Sequence, residues 1–195
     1  MKKRFYLVFY LLLIVGAGAI KQVGNFISMT GSDWFLFFRD NLLMISGAIF
    51  GFYFIFFEKF WQVFYLYPEA KESQWVKEYI KKRSLKNLGS FLVYLLNIDF
   101  SHKGRSVLNS FLFHFSWLGV AVFVLTSTAS TFGQGLVLGL GLYLLVEAWE
   151  IYQKSTESFR GKIFWQIERP ISPQEAQYYL YIFSAIFGML SLFFS

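Results

Sequence analysis

Cysteine is absent from the 195-residue chain. That excludes disulfides, thiolate nucleophiles and Cys-based zinc or iron–sulfur sites, and leaves the compartment open. Charge is scarce: 15% of residues are Asp, Glu, Lys or Arg, where soluble domains carry about a quarter. Histidine occurs twice, as His102 and His114. No HExxH, closely spaced His pair or Glu-x-x-His motif accompanies them, so neither metal nor cofactor is expected. Asp99 and His102 lie near serines but lack the signature of an activated nucleophile. The net charge of +6 and pI near 9.4 raise the question of nucleic acid. Without an RNA-binding signature, a base-reading basic helix or a glycine-rich phosphate loop, no such partner is expected.

What is abundant is apolar surface. Hydrophobic residues make up 56% of the chain, Phe alone contributes 26, and the mean hydropathy is +0.47. Such a chain has too little polar surface to cover itself in water. The reading is a single all-α integral membrane domain over residues 1–195, a bundle of about five transmembrane helices of ~20 residues each. Amphipathic interfacial helices join the second span to the third. The lipid bilayer is the first expected partner.

Met1-Lys2-Lys3-Arg4 precedes an apolar run from Phe5 to Ile20. Two readings are open: a secretory signal peptide with Ala17-Gly18-Ala19 as cleavage site, or a retained first span over about 5–27. The length of the run favours retention. The second span is expected over about 34–60, bounded by Trp34 and Trp61, residues that favour the membrane boundary. Gly47 and Gly51 within it form a GxxxG pair suited to close helix packing.

Residues 61–106 form the longest connection, expected at the cytoplasmic surface. Between Glu69 and Arg83, Trp75, Val76, Tyr79 and Ile80 fall on one helical face and lysines cover much of the rest. Trp75, Tyr79, Lys81, Lys82 and Arg83 are the candidate contacts to anionic lipid headgroups. Leu85 to Leu96 continues a helical stripe too short to span.

The third span is expected over about 107–127 and the fourth over about 132–151. Tyr152 to Ser172 reads as a polar connection. The fifth span is expected over about 173–194, opened by a capping box: Ser172 as N-cap, Pro173 as first helical residue, Glu175 as reciprocal partner. Ser184 and Gly188 give it a small-xxx-small face. With the N-terminus inside, the cytoplasmic segments Met1–Arg4, Glu58–Ser106 and Tyr152–Ser172 hold 3, 9 and 4 Lys or Arg, against Lys21 and Arg39 elsewhere. That distribution fits the positive-inside rule and puts the C-terminus outside. A bacterial cytoplasmic membrane is the default location.

The candidate chemistry lies in the hairpin of the third and fourth spans. His114 and Glu147 are equally far from its turn, hence at similar depth. Gly135, Gly139, Tyr143 and Glu147 recur every four residues, and the glycines admit a close neighbour, expected to be the third span. A His114–Glu147 pair supported by Ser110, Tyr143 and Glu150 would suit a proton relay, an acid–base pair or part of a metal site. The structural alternative has Glu147 reaching the headgroups and His114 bonded to a hydroxyl or backbone group.

Three functions follow. The first is a non-enzymatic subunit or scaffold of a membrane assembly or transport complex, partnered by other membrane subunits or by itself. The second is a small oligomeric transporter or proton-coupled carrier using His114 and Glu147. The third is an intramembrane or lipid-modifying enzyme with its site at the cytoplasmic interface.

Overall fold

The computed structural model describes residues 31–81, 107–127 and 130–194. All regular structure among them is helical: α1 (Gly31–Phe52), α2 (Ile55–Trp61) continued by a π-helical turn (Gln62–Leu66), α3 (Lys71–Lys81), α4 (Phe111–Thr126), α5 (Thr131–Lys154), α6 (Thr156–Ile163) and α7 (Pro173–Phe194). They form two compact units, one within 1–53 and 109–195, the other within 54–108. The expected first span, the stripe from Leu85 to Leu96, and Lys82 and Arg83 lie outside the described residues. Two helical stretches, Phe35–Leu66 and Thr131–Lys154, are long and apolar enough to cross a membrane, and Phe111–Thr126 is apolar but shorter.

Serine opens four of these helices. Ser110 accepts from the Phe113 N–H at 3.2 Å, Ser130 from Gly133 at 3.3 Å and Ser155 from Ser158 at 3.3 Å. Each satisfies one of the orphan N–H groups of a helix start. At α7 the expected box is present in both directions. Ser172 Oγ accepts from Glu175 N at 3.2 Å, and Glu175 Oε2 accepts from Ser172 N at 2.8 Å. Arg169 adds an ion pair to Glu175 at 2.8 Å. The cap at Ser110 makes α4 a helix of 16 residues, ~24 Å long, where the sequence suggested helix from Val107.

In the first unit, α1 and α5 meet along glycine. A Cβ on Gly47 would overlap the Phe132 carbonyl oxygen, and one on Gly51 that of Leu136. Reciprocally, a Cβ on Gly135 or Gly139 would overlap the carbonyl of Met44 or Ala48. The two GxxxG motifs are therefore each other's partner, and backbone lies on backbone. Residue numbers rise together along the seam, so α1 and α5 run parallel. The sequence reading expected the third span as neighbour of the Gly135–Gly139 face. The short turn does bring α4 beside α5, but it does not choose the face. α4 meets Gly141 instead, two residues on and about 200° round the helix from Gly139.

α4 and α5 form an antiparallel hairpin. Trp117 Nε1–H donates to the Val137 carbonyl at 3.1 Å, and a Cβ on Gly141 would strike the Trp117 ring. α7 runs parallel to α4: Phe111 packs on Tyr179 with centroids 5.6 Å apart, and Trp117 on Phe183 at 5.7 Å and Phe187 at 6.3 Å. α7 is antiparallel to α5, since Trp149 Nε1–H donates to Ser184 Oγ at 3.0 Å while Gly141 lies near Phe187.

The connection from Tyr152 to Ser172 departs from its polar reading. It folds into α6, which buries Phe159 and Ile163 against Ala148, Ile151, Ala176 and Leu180. Those two apolar residues stand four apart, on one helical face, and the basic residues around them mask the pattern. The cluster ties the C-terminal end of α5 to the start of α7.

The second unit is smaller. Val63, Ala70 and Val76 form its core, with Phe56, Tyr67 and Tyr79 packed around. Glu58 is buried there. Its Oε1 accepts from Gln62 Nε2 and from the backbone N–H of Val107, each at 3.1 Å, which joins the two ends of the long connection.

Candidate functional site

The buried face of α4 comprises Ser110, His114, Trp117, Ala121 and Leu125, spaced as one helical stripe. His114 is 2% exposed. Its Nδ1 is hydrogen-bonded to the Tyr179 hydroxyl at 2.5 Å. Its ring lies nearly parallel to Phe183, with centroids 4.8 Å apart, and to Tyr179 at 6.1 Å. In either tautomer one ring nitrogen is committed to Tyr179. Nε2 is buried and has no hydrogen-bond partner among the described residues.

The side chain against His114 Nδ1 is thus a phenol from α7. Ser110 is spent as the cap of His114's own helix. Tyr143 is buried on the glycine face of α5 and meets Phe52 of α1 edge-on at 6.0 Å. Glu147, one turn beyond Tyr143 on the same row, is half-buried, as is Glu150, and each takes part in interactions.

Of the packing residues, Gly47, Gly51, Gly135 and Gly139 converge on one seam. Ser184 serves as acceptor for Trp149 and donates to the Leu180 carbonyl at 2.7 Å. Among the described residues no atom lies within 4 Å of where a Cβ on Gly188 would stand. Of the membrane-surface residues, Trp75 and Lys81 are exposed and Tyr79 is half-buried, with Trp75 and Tyr79 stacked at 5.5 Å.

Sequence reasoning missed Tyr179, Phe183 and Gly141. A signal existed: Tyr179, Phe183 and Phe187 form an aromatic row at i, i+4, i+8. The row identifies a buried face but not the helix that faces it.

The chemistry open to this arrangement is narrow. No group of three or more His, Asp or Glu side chains able to hold a metal occurs among the described residues. Around His114 stand the Tyr179 hydroxyl at Nδ1 and the rings of Tyr179 and Phe183, and among the described residues no hydrogen-bond partner reaches Nε2. An all-helical protein with glycine-packed and aromatic-packed interfaces is what the geometry defines. Comparison of the chain with protein-family models, with characterised proteins and with solved structures finds no match.

Proposed function

We propose that the chain is a multi-pass membrane protein that serves as a non-enzymatic subunit or scaffold of a membrane assembly. The observation that carries the membrane part is the outer surface of the helices. Phe35 is 70% exposed, Leu42 69%, Phe115 67%, Phe123 73% and Leu192 80%. The interior of the same bundle mixes glycine, alanine, Ser110 and His114 with large apolar side chains such as Leu138, Leu144 and Phe183, so the apolar residues outside are in addition to a filled core. Contiguous apolar surface of this kind is unfavourable in water and ordinary against lipid.

The helix directions support the topology read from charge. α1 and α5 run one way, α4 and α7 the other. Alternate crossings from a cytoplasmic N-terminus give the second and fourth spans one direction and the third and fifth the opposite. The scaffold reading draws on the enclosure of His114, which is occupied by a structural hydrogen bond.

Extraction of native membranes with alkaline carbonate, followed by native electrophoresis in mild detergent, tests both parts. Retention in the membrane and migration in a complex with a different, stoichiometric polypeptide is the expected result. Release by carbonate would overturn the membrane reading. Migration of the chain alone, with a transport or enzymatic activity abolished by His114→Gln, would overturn the scaffold reading.

A further inference from the structure

The helix of the smaller unit is inside out by the standard of a water-soluble helix. Phe57, Phe60, Trp61, Phe64 and Tyr65 stand at i, i+3, i+4, i+7 and i+8, the spacing of one face. All five are exposed, from 38% to 70%, and they line a shallow surface depression. Phe60 stacks on Phe64 at 5.8 Å and Trp61 on Tyr65 at 4.4 Å. The opposite face turns Glu58, Gln62 and Val63 inward. Carboxylate and amide are buried while five aromatic rings are not. The buried carboxylate is hydrogen-bonded, but in water the exposed aromatic face is unfavourable. It becomes favourable when the outer face leaves water.

Charge and ring chemistry identify the medium. Trp and Tyr, apolar rings with one polar tip, favour the headgroup boundary over the bilayer centre. α3 follows with Trp75 and Ile80 exposed at 42% and 41%. Lys71 and Lys81 are exposed beside them. From Lys59 to Arg83 the sequence carries Lys59, Lys71, Lys77, Lys81, Lys82 and Arg83 against Glu69, Glu72 and Glu78. A segment whose sequence is net positive and rich in exposed aromatic rings is complementary to an anionic leaflet.

We propose that this unit binds the headgroup region of an anionic phospholipid leaflet, with the aromatic face of α2 and its π-helical turn seated at the headgroup–acyl boundary and the lysines of α3 over the phosphates. The proposal rests on the membrane reading above.

The test uses the full-length protein in vesicles of phosphatidylcholine, alone or with one quarter phosphatidylglycerol, containing acyl chains brominated at shallow or deep positions. Trp61→Phe and Trp75→Phe isolate those two contributions to the fluorescence of six tryptophans. Both components are expected to be quenched at least twofold more by shallow than by deep bromine. The Trp75 component is expected to lose at least half its quenching in neutral vesicles and in the Lys71→Gln/Lys81→Gln variant. Quenching by aqueous iodide with none by bromolipid would overturn the proposal, as would stronger quenching by deep bromine. Equal quenching in neutral and anionic vesicles would overturn the choice of an anionic leaflet. Carbonate resistance separates the two failures: unquenched Trp61 and Trp75 in a carbonate-resistant protein reject this proposal alone, whereas release by carbonate rejects the membrane reading beneath it.

Discussion

The α1–α5 seam and the α4–α7 interface hold the same bundle together by opposite means. At the seam, Gly47, Gly51, Gly135 and Gly139 remove side chains so that backbone meets backbone. At the other interface, Phe111, His114 and Trp117 interleave with Tyr179, Phe183 and Phe187. The first surface has no rotamers with which to adjust, because its contacts are carbonyl groups locked in helices. The second consists of side chains that can tilt. In lipid, where apolar burial gives helices little reason to associate, close approach and hydrogen bonds carry the specificity. The seam supplies the approach. The aromatic interface supplies a polar contact, His114–Tyr179, and Trp117 adds another from α4 to Val137 of α5.

Substitutions can break that contrast. Gly139→Leu is expected to be the most damaging, because its Cβ would overlap the Ala48 carbonyl and the helices must part. A loss of about 3 kcal/mol is expected, at the upper end of overpacking costs, read as the shift of the unfolding midpoint in mixed micelles. If Gly139→Leu were as stable as the native protein, backbone contact would not be what joins α1 to α5.

Tyr179→Phe strands a buried nitrogen of His114 and is expected to cost about 2 kcal/mol. Adding His114→Phe should recover most of that loss, because two apolar rings then meet and no polar atom is left bare. Non-recovery in the double-mutant cycle would mean that His114 has another essential partner.

Ser172→Ala removes one arm of the capping box at α7, and about 1 kcal/mol is expected by the same unfolding measurement. Smallest is Gly119→Ala. Among the described residues no atom lies within 4 Å of that Cβ position, so the change is expected to act through the freedom of the unfolded chain and stabilise by about 0.5 kcal/mol. A loss there would place an unseen neighbour against α4.

Local features were legible in the sequence, and pairings were not. The Ser172–Glu175 box could be read because both partners lie within one turn. The stripe Ser110, His114, Trp117 and Ala121 and the rows of glycine could be read because helical periodicity is local. That Gly135 and Gly139 would meet α1 rather than α4 depends on which of two faces each neighbour takes, and no spacing within α5 encodes it. His114 acquired Tyr179 for the same reason. On chemistry alone a carboxylate at matching depth reads as a partner for His114, and the phenol that the parallel helix brings to Nδ1 is encoded by no spacing within α4. α6 was hidden differently: Arg160 and Lys162 flank Phe159 and Ile163, so composition read as polar where periodicity pointed to a buried face.

The absence of cysteine makes the central claim, alternate crossing of a membrane by these helices, directly measurable. Single cysteines would replace Ser130 at the α4–α5 turn, Glu157 in α6 and Gln74 in α3, and intact expressing cells would be treated with a membrane-impermeant maleimide. The account predicts labelling of Ser130→Cys in intact cells, and of Glu157→Cys and Gln74→Cys only after the membrane is opened. Labelling of Ser130→Cys and Glu157→Cys from the same side would contradict it, because α5 would then not cross.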